Sequence, residues 1–385
     1  MPMLKIHYSL ESDLKKDIVD IPAPDEINIR VSNLVLKTGK GKKIAKGELI
    51  AEHPSRFGGA YHAPVSGKVT KVNYHHITIK SDGTDNCVEP VDLSSLETGK
   101  ELLRTLQGLG VDVAPLSSAS RLLIINGLNP EPGISVTEQL LRVELKTIEA
   151  GLEMARRFIA PEQTVLAVSA GSPYRLDGAE IKQIKPKYPN SLDALVAKKV
   201  TGKEFPEETR IMSVVDLYRI GKIVLSGLPI TDTTITVGDT NYHIPLGTPI
   251  RHLVEYLGLE VSSGDKVVLG GPFRGEAVYS LSEGVKKADH GLFVVKAGSF
   301  PAIEDATCIN CGECVLNCPA RIQANLISRY AEFEMFDHAV RHGLHSCLEC
   351  GLCSFNCTAR RPLLQYIRFA KTQLMNQGAG EQEQG

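Results

Sequence analysis

The sequence predicts a multidomain chain of the α/β-plus-β class that ends in a helical, cysteine-rich domain. Three observations predict it. Short apolar strands between glycine turns fill residues 1–95 and return over 231–296. Between those stretches, strands alternate with helical segments, the pattern of a parallel sheet. Eight of the nine cysteines lie between Cys308 and Cys357. A length of 385 residues suggests roughly two to four domains. Lys and Arg total 43 against 45 Asp and Glu, and this near-neutral balance argues against a dedicated nucleic-acid binder.

Residues 1–95 carry turn glycines at Gly39, Gly41, Gly47, Gly58, Gly59 and Gly67, with strands expected over 48–52 and 68–72. GKKIAKGELIAE and APVSGKVTKV are similar hairpins, a pattern that resembles the barrel-sandwich hybrid module of biotinyl and lipoyl carriers. The Met-flanked carrier lysine of those proteins is absent, so no such carrier is expected. Residues 96–230 change period. Leu102, Leu103, Leu106 and Leu109 share one helical face, and RLLIIN at 121–126 reads as a buried strand. One long helix is expected over 134–158. A strand at 164–169, a helix at 191–200, a strand at 210–214 and a helix at 215–225 follow. Residues 231–296 show a hairpin, 233–237 with 241–244 around Gly238 and Asp239, then a short helix and a strand at 266–269. This is a small β-grasp-like unit. Residues 297–370 form the cysteine domain, and 371–385, ending NQGAGEQEQG, read as a disordered tail.

The cysteines carry the chemistry. Cys308-x₂-Cys311-x₂-Cys314-x₃-Cys318-Pro319 is followed by Cys347-x₂-Cys350-x₂-Cys353-x₃-Cys357. In such runs the first three thiolates wrap one cubane and the fourth ligates the other. That rule assigns Cys308, Cys311, Cys314 and Cys357 to one [4Fe–4S] cluster. Cys347, Cys350, Cys353 and Cys318 go to the second. Zinc prefers separated CxxC pairs, and disulfides suit a secreted chain with spread cysteines. Gly312 and Gly351 let the backbone turn close to the clusters. Thr358 stands where the first run has Pro319. Ile322, Leu326, Tyr330, Phe333 and Phe336 recur at helical spacing and are expected to pack the domain. His338, His342 and His345 are read as non-ligands, and Cys87 as a lone thiol. Two adjacent cubanes relay single electrons and transfer no groups.

With these motifs in view, the chain resembles the C component of the Rnf-type electron-transport complex. That family is related to the A component of the sodium-pumping quinone reductase and to the flavoprotein of respiratory complex I. IPAPDEINIRV, VLKTGKGKKIAKGELIAE, HAPVSGKVTKV, RLLIINGLNPEPG, KYPNSLDALVAKKVTGKEFP, ECGLCSFNC and RPLLQYIRFAK carry the likeness. It implies a barrel-sandwich hybrid domain, a Rossmann-like flavin/NADH domain, a β-grasp soluble-ligand-binding domain and a two-[4Fe–4S] ferredoxin-type domain. It also implies FMN and NADH, near Gly108, Gly110, Asn126 and Glu131. Here the sequence departs from the family. Its GxGGAGFP loop is GLGVDVAP at 108–115, with Val111 and Asp112 in place of Gly and Ala, and an Asp beside a phosphate repels it. N-x-x-E-x-E-P has become Asn126, Asn129, Glu131, Pro132. An early FxGGxHP segment is missing. The flavin/NADH site reads as degenerate.

The reading is an electron-transferring iron–sulfur subunit, an oxidoreductase component rather than a stand-alone enzyme. Its partners would be the membrane subunits of a redox complex and a soluble donor or acceptor, ferredoxin-like or NADH. No apolar run approaches the ~18 residues that span a bilayer, and charges from Glu11 to Lys16 fall where a signal core would sit. The expected location is therefore cytoplasmic, peripheral on the inner face of the cell membrane. Two rivals remain: an FMN-dependent NADH dehydrogenase or cobalamin-reductase-like enzyme, and a non-catalytic docking or ligand-binding subunit.

Overall fold

The computed structural model describes residues 7–14, 16–300, 302–304 and 306–382, with side chains to 376. They form two compact units. The larger comprises 7–272 and 276–295, the smaller 273–275 and the chain from 296 onward.

In the larger unit, alternating side chains build the first β region. Glu26–Arg30 turns Ile27 and Ile29 inward and its polar residues outward. It pairs with His76–Ser81, then Gly67–Val72, then Lys43–Ile44, all antiparallel. Ile27 faces Ile79 and Ile29 faces Ile77 across the ladder. A second, three-stranded sheet joins Val35–Leu36, Leu49–Glu52 and Tyr61–His62. Ile50, Ala51 and Ala63 share one buried core with Ile27, Ile77 and Ile79.

A four-stranded, all-parallel sheet follows, ordered Glu180–Ile184, Gln163–Ser169, Leu122–Asn126 and Thr209–Ser213. Its central strand is a continuous apolar run, as strands covered on both faces require. The single helix expected over 134–158 is two, Val136–Val143 and Leu145–Ile159. Glu144 breaks it (φ −119°, ψ 27°), and its carboxylate accepts from the Thr147 hydroxyl at 2.8 Å in the new first turn. Leu145–Ile159 then crosses Val214–Ser226 backbone to backbone. A Cβ on Gly221 would run into the Thr147 carbonyl oxygen. Glu180–Ile184 has no counterpart among the strands expected from sequence. It is an edge strand with mostly solvent-facing residues, so it lacks apolar periodicity.

The hairpin Asp232–Val237 and Thr240–Pro245 forms as expected, within a six-stranded mixed sheet. Gly291–Val295 runs parallel beside it, then Lys266–Leu269 and Glu276–Ala277. Val19–Asp20 pairs in parallel with Tyr242 and His243 on the far edge. The N-terminal stretch therefore does not stay within a module ending at residue 95.

The smaller unit is helical: Glu313–Leu316, Ala324–Glu332, Phe336–Arg341, Leu352–Phe355 and Leu363–Gln382. Ile322, Ile327, Ala331, Leu344, Leu363 and Ile367 form its core with Cys314 and Cys353. Phe333, expected to pack there, is 69% exposed. Its helix ends at Glu332, so the periodic face stops short of it. The stretch from 371 is not a disordered tail: the last helix runs on to Gln382, and 383–385 lie outside the described residues. Ala370-Lys371-Thr372-Gln373-Leu374-Met375 has no proline and mostly good helix formers, which propagate a helix already nucleated at Leu363.

Candidate iron–sulfur site

Both cysteine runs fold alike. Asn310 (φ 55°), Gly312 (φ 81°) and Arg321 (φ 56°) are left-handed, and so are the matching Glu349 (φ 52°), Gly351 (φ 77°) and Arg360 (φ 56°). Each run thus turns back on itself, starts a short helix immediately after its glycine, and enters a longer helix after its fourth cysteine.

The doubled turn creates two cavities. One is lined by Cys308, Cys311, Cys314 and Cys357. The other is lined by Cys347, Cys350, Cys353 and Cys318. Each run sends its fourth cysteine into the other run's cavity. Among the described residues, no three His, Cys, Asp or Glu side chains converge as a single metal ion requires. Each cavity is instead lined by four cysteines, the donor set of a four-iron cluster. Donor chemistry fits as well. The Glu349 N–H donates to Cys347 Sγ and the Arg361 N–H to Cys357 Sγ, each at 3.4 Å.

The cavities differ electrostatically. Cys311 is exposed, and hydrogen bonds from the Glu313 backbone and the Thr358 hydroxyl hold its thiol below the ordinary value. Burial pushes Cys314 and Cys347 up, Cys350 up to about 11, and Cys353 further still. Beside the second cavity, Lys371 Nζ donates to the Cys347 carbonyl oxygen (2.9 Å) and to Glu349 Oε1 (2.8 Å), while Arg368 Nε reaches Glu349 Oε2 at 3.1 Å. Thr358, Arg361 and Lys371 are not marked as functional by the cysteine pattern. Aligning the two runs position by position marks Thr358 against Pro319 and Arg361 against Ile322. His338 and His342 pack on the Tyr330 ring, each with centroids 5.1 Å away, and neither lines a cavity. Cys87 is exposed.

The residues assigned to FMN and NADH are engaged elsewhere. The N–H groups of Leu109, Gly110, Val111 and Val113 donate to carbonyl oxygens of Thr105, Gln107, Leu106 and Phe57 at 2.8–3.0 Å. Lys287 Nζ donates to the oxygens of Ala60 (2.7 Å) and Gly110 (3.1 Å), and burial drives its ammonium down to about 7 although Asp112 opposes this. Asp112 Oδ1 accepts from the Gly59 N–H at 2.7 Å. Asn126 Nδ2 donates to the Ser191 carbonyl and to Asp193 Oδ1, both at 2.8 Å. The Glu131 carboxylate packs on Gly271, where it fills the space a Cβ would take. Only Gly108 of this set faces open space. A phosphate cradle needs free backbone N–H groups, and four of this loop's are spent internally.

Eight cysteines shared crosswise between two such cavities define an iron–sulfur protein with two [4Fe–4S] clusters, and residues 300–358 match the 4Fe-4S dicluster domain family. Over most of its length the chain is similar to curated proteins named as the C component of an ion-translocating oxidoreductase complex. The Rhodobacter capsulatus protein is 26% identical over 86% of this chain and 73% of its own length. That of Klebsiella pneumoniae is 29% identical over 81% of this chain. The chain spans about half of the Klebsiella protein, 48%. Among solved structures, an NAD+-reducing [NiFe]-hydrogenase in the H2-reduced state aligns over 70% of this chain and 60% of its own, at 14% identity and a TM-score of 0.43. Among the described residues no helix is long and apolar enough to cross a membrane.

Proposed function

We propose that this chain is the iron–sulfur electron-transfer subunit of an ion-translocating, Rnf-like redox complex. One observation carries the reading: the crosswise sharing of cysteines between two adjacent cavities. Cys308, Cys311, Cys314 and Cys357 would hold one cubane, and Cys347, Cys350, Cys353 and Cys318 the other. Clusters so held supply one-electron steps. The protein's own part is to fix the ligands, donate N–H groups to the sulfurs and set how much water reaches each cluster.

The finer architecture belongs to the same proposal. The two antiparallel sheets around Ile27 and Ile77 support a barrel-sandwich hybrid, the parallel sheet a Rossmann-like domain, and the six-stranded mixed sheet a β-grasp unit. All three would serve as docking scaffold. The internal bonding of the 108–115 loop favours electron entry without a flavin in this chain. Membrane association would come from partner subunits on the cytoplasmic face.

Anaerobic reconstitution of the full chain, with iron analysis and EPR, tests the reading. About eight iron per chain and two reducible clusters are expected. Bound zinc, or fewer than about four iron, overturns it.

A further inference from the structure

Within the iron–sulfur unit one buried cation has an unfilled hydrogen bond. Arg361 is 5% exposed. Its two terminal nitrogens are used, one on the Ala306 carbonyl oxygen and one on Glu332 Oε2. Its Nε is buried and without a hydrogen-bond partner. Buried donors are almost always paired, so an orphan of this kind points to an acceptor not drawn from the protein. Arg361 lines the cavity of Cys308, Cys311, Cys314 and Cys357. At the matching position of the other run stands Ile322, which lines the second cavity. The duplication therefore places an arginine at one cavity and an isoleucine at the other.

We propose that Arg361 donates its Nε–H to the first cluster and raises that cluster's reduction potential, while the second cluster has no equivalent donor. This rests on the two-cluster reading above. On one-electron reduction a cubane gains a negative charge. A fixed cation beside the cavity, with a buried N–H still free to donate, stabilises that charge more than it stabilises the oxidised form. Glu332 holds the guanidinium in place and offsets part of its field. The Lys371–Glu349 pair beside the second cavity differs in that neither group has a buried polar atom left without a hydrogen-bond partner.

The test is EPR-monitored redox titration of the full, anaerobically reconstituted chain, with iron counted in every sample. Arg361→Met removes the charge and the donor. It should retain both clusters and shift one midpoint to a more negative potential, leaving the other in place. Arg361→Lys keeps the charge without the planar donor and should recover part of the shift. Glu332→Gln leaves Arg361 present and removes its counter-charge, so the same midpoint should move positive. The Glu332→Gln variant also decides the matter if Arg361→Met loses its first cluster. Two bound clusters whose midpoints ignore all retained variants overturn this proposal alone. A wild-type chain that binds no clusters overturns the proposed function instead.

Discussion

The two cysteine cavities share a backbone and differ in their walls. The first has an exposed Cys311, polar Asn310, Asn325 and Ser328, and the Arg361 guanidinium. Its loop residue Ile309 is 61% exposed. The second buries Cys350 and Cys353 among Ile322, Leu348, Leu364 and Ile367. Its glycine, Gly351, lies directly under the Phe273 carbonyl oxygen. Cluster potential and stability follow solvent access and hydrogen bonding to sulfur. One folding motif, written twice, thus yields a solvent-near cluster and a sheltered one.

Ligand removal should break this comparison most sharply. Cys353→Ser is expected to eliminate the second cluster, lowering iron from about eight to about four per chain. It should also lower the thermal midpoint of the iron–sulfur unit, because Cys353 belongs to the same core as Leu363 and Ile367. Cys311→Ser should perturb the first cluster and leave that core folded, read by iron content and circular dichroism. Equal unfolding by both variants would erase the distinction. Next in size is cofactor loss. Under a chelator and limited oxygen, the first cluster's EPR signal should decay before the second's, since Cys311 is exposed and its counterpart Cys350 buried.

The glycines sharpen the comparison further. Gly312 and Gly351 are both left-handed, so alanine at either costs about 1–2 kcal/mol in backbone strain. A Cβ at Gly351 would also collide with the Phe273 oxygen, while at Gly312 it would meet nothing within 4 Å. Gly351→Ala should therefore lose its cluster on reconstitution far more readily than Gly312→Ala. The smallest effect is expected from Lys371→Gln. It removes a half-buried ion pair with Glu349 and a bond to the Cys347 carbonyl, and should cost about 1 kcal/mol in denaturant titration of the loaded protein.

Legibility in the sequence followed how local the determining signal was. The strands at 164–169 and 266–269 and the hairpin at 233–244 were readable from apolar runs and turn residues alone. The break at Glu144 was not, because no glycine or proline marks it and the apolar period runs through it. Glu180–Ile184 and Gly291–Val295 were missed for different reasons. The first is a polar sheet edge, and the second is defined by partners far away in sequence. The eroded glycine loop was visible as Val111 and Asp112. That its N–H groups turn inward, and that Lys287 arrives from 177 positions away to bond the Gly110 oxygen, was not.

The sequence by itself determined the cofactor chemistry. Thiolate number and spacing are local facts, and two CxxCxxCxxxC runs fit a pair of four-iron cubes better than zinc or disulfides. It also determined which cysteines could be exchanged between runs. Beyond Arg361 against Ile322 and Thr358 against Pro319, which the sequence shows, tertiary structure decided what makes the two copies unequal. Burial of Cys350 and Cys353, exposure of Cys311 and the approach of Phe273 come from packing partners the local pattern does not name. So does the position of Arg361, whose unpaired Nε depends on Glu332 and Ala306 claiming the other two nitrogens. Spacing is set along the chain, whereas solvation is set by what folds over it.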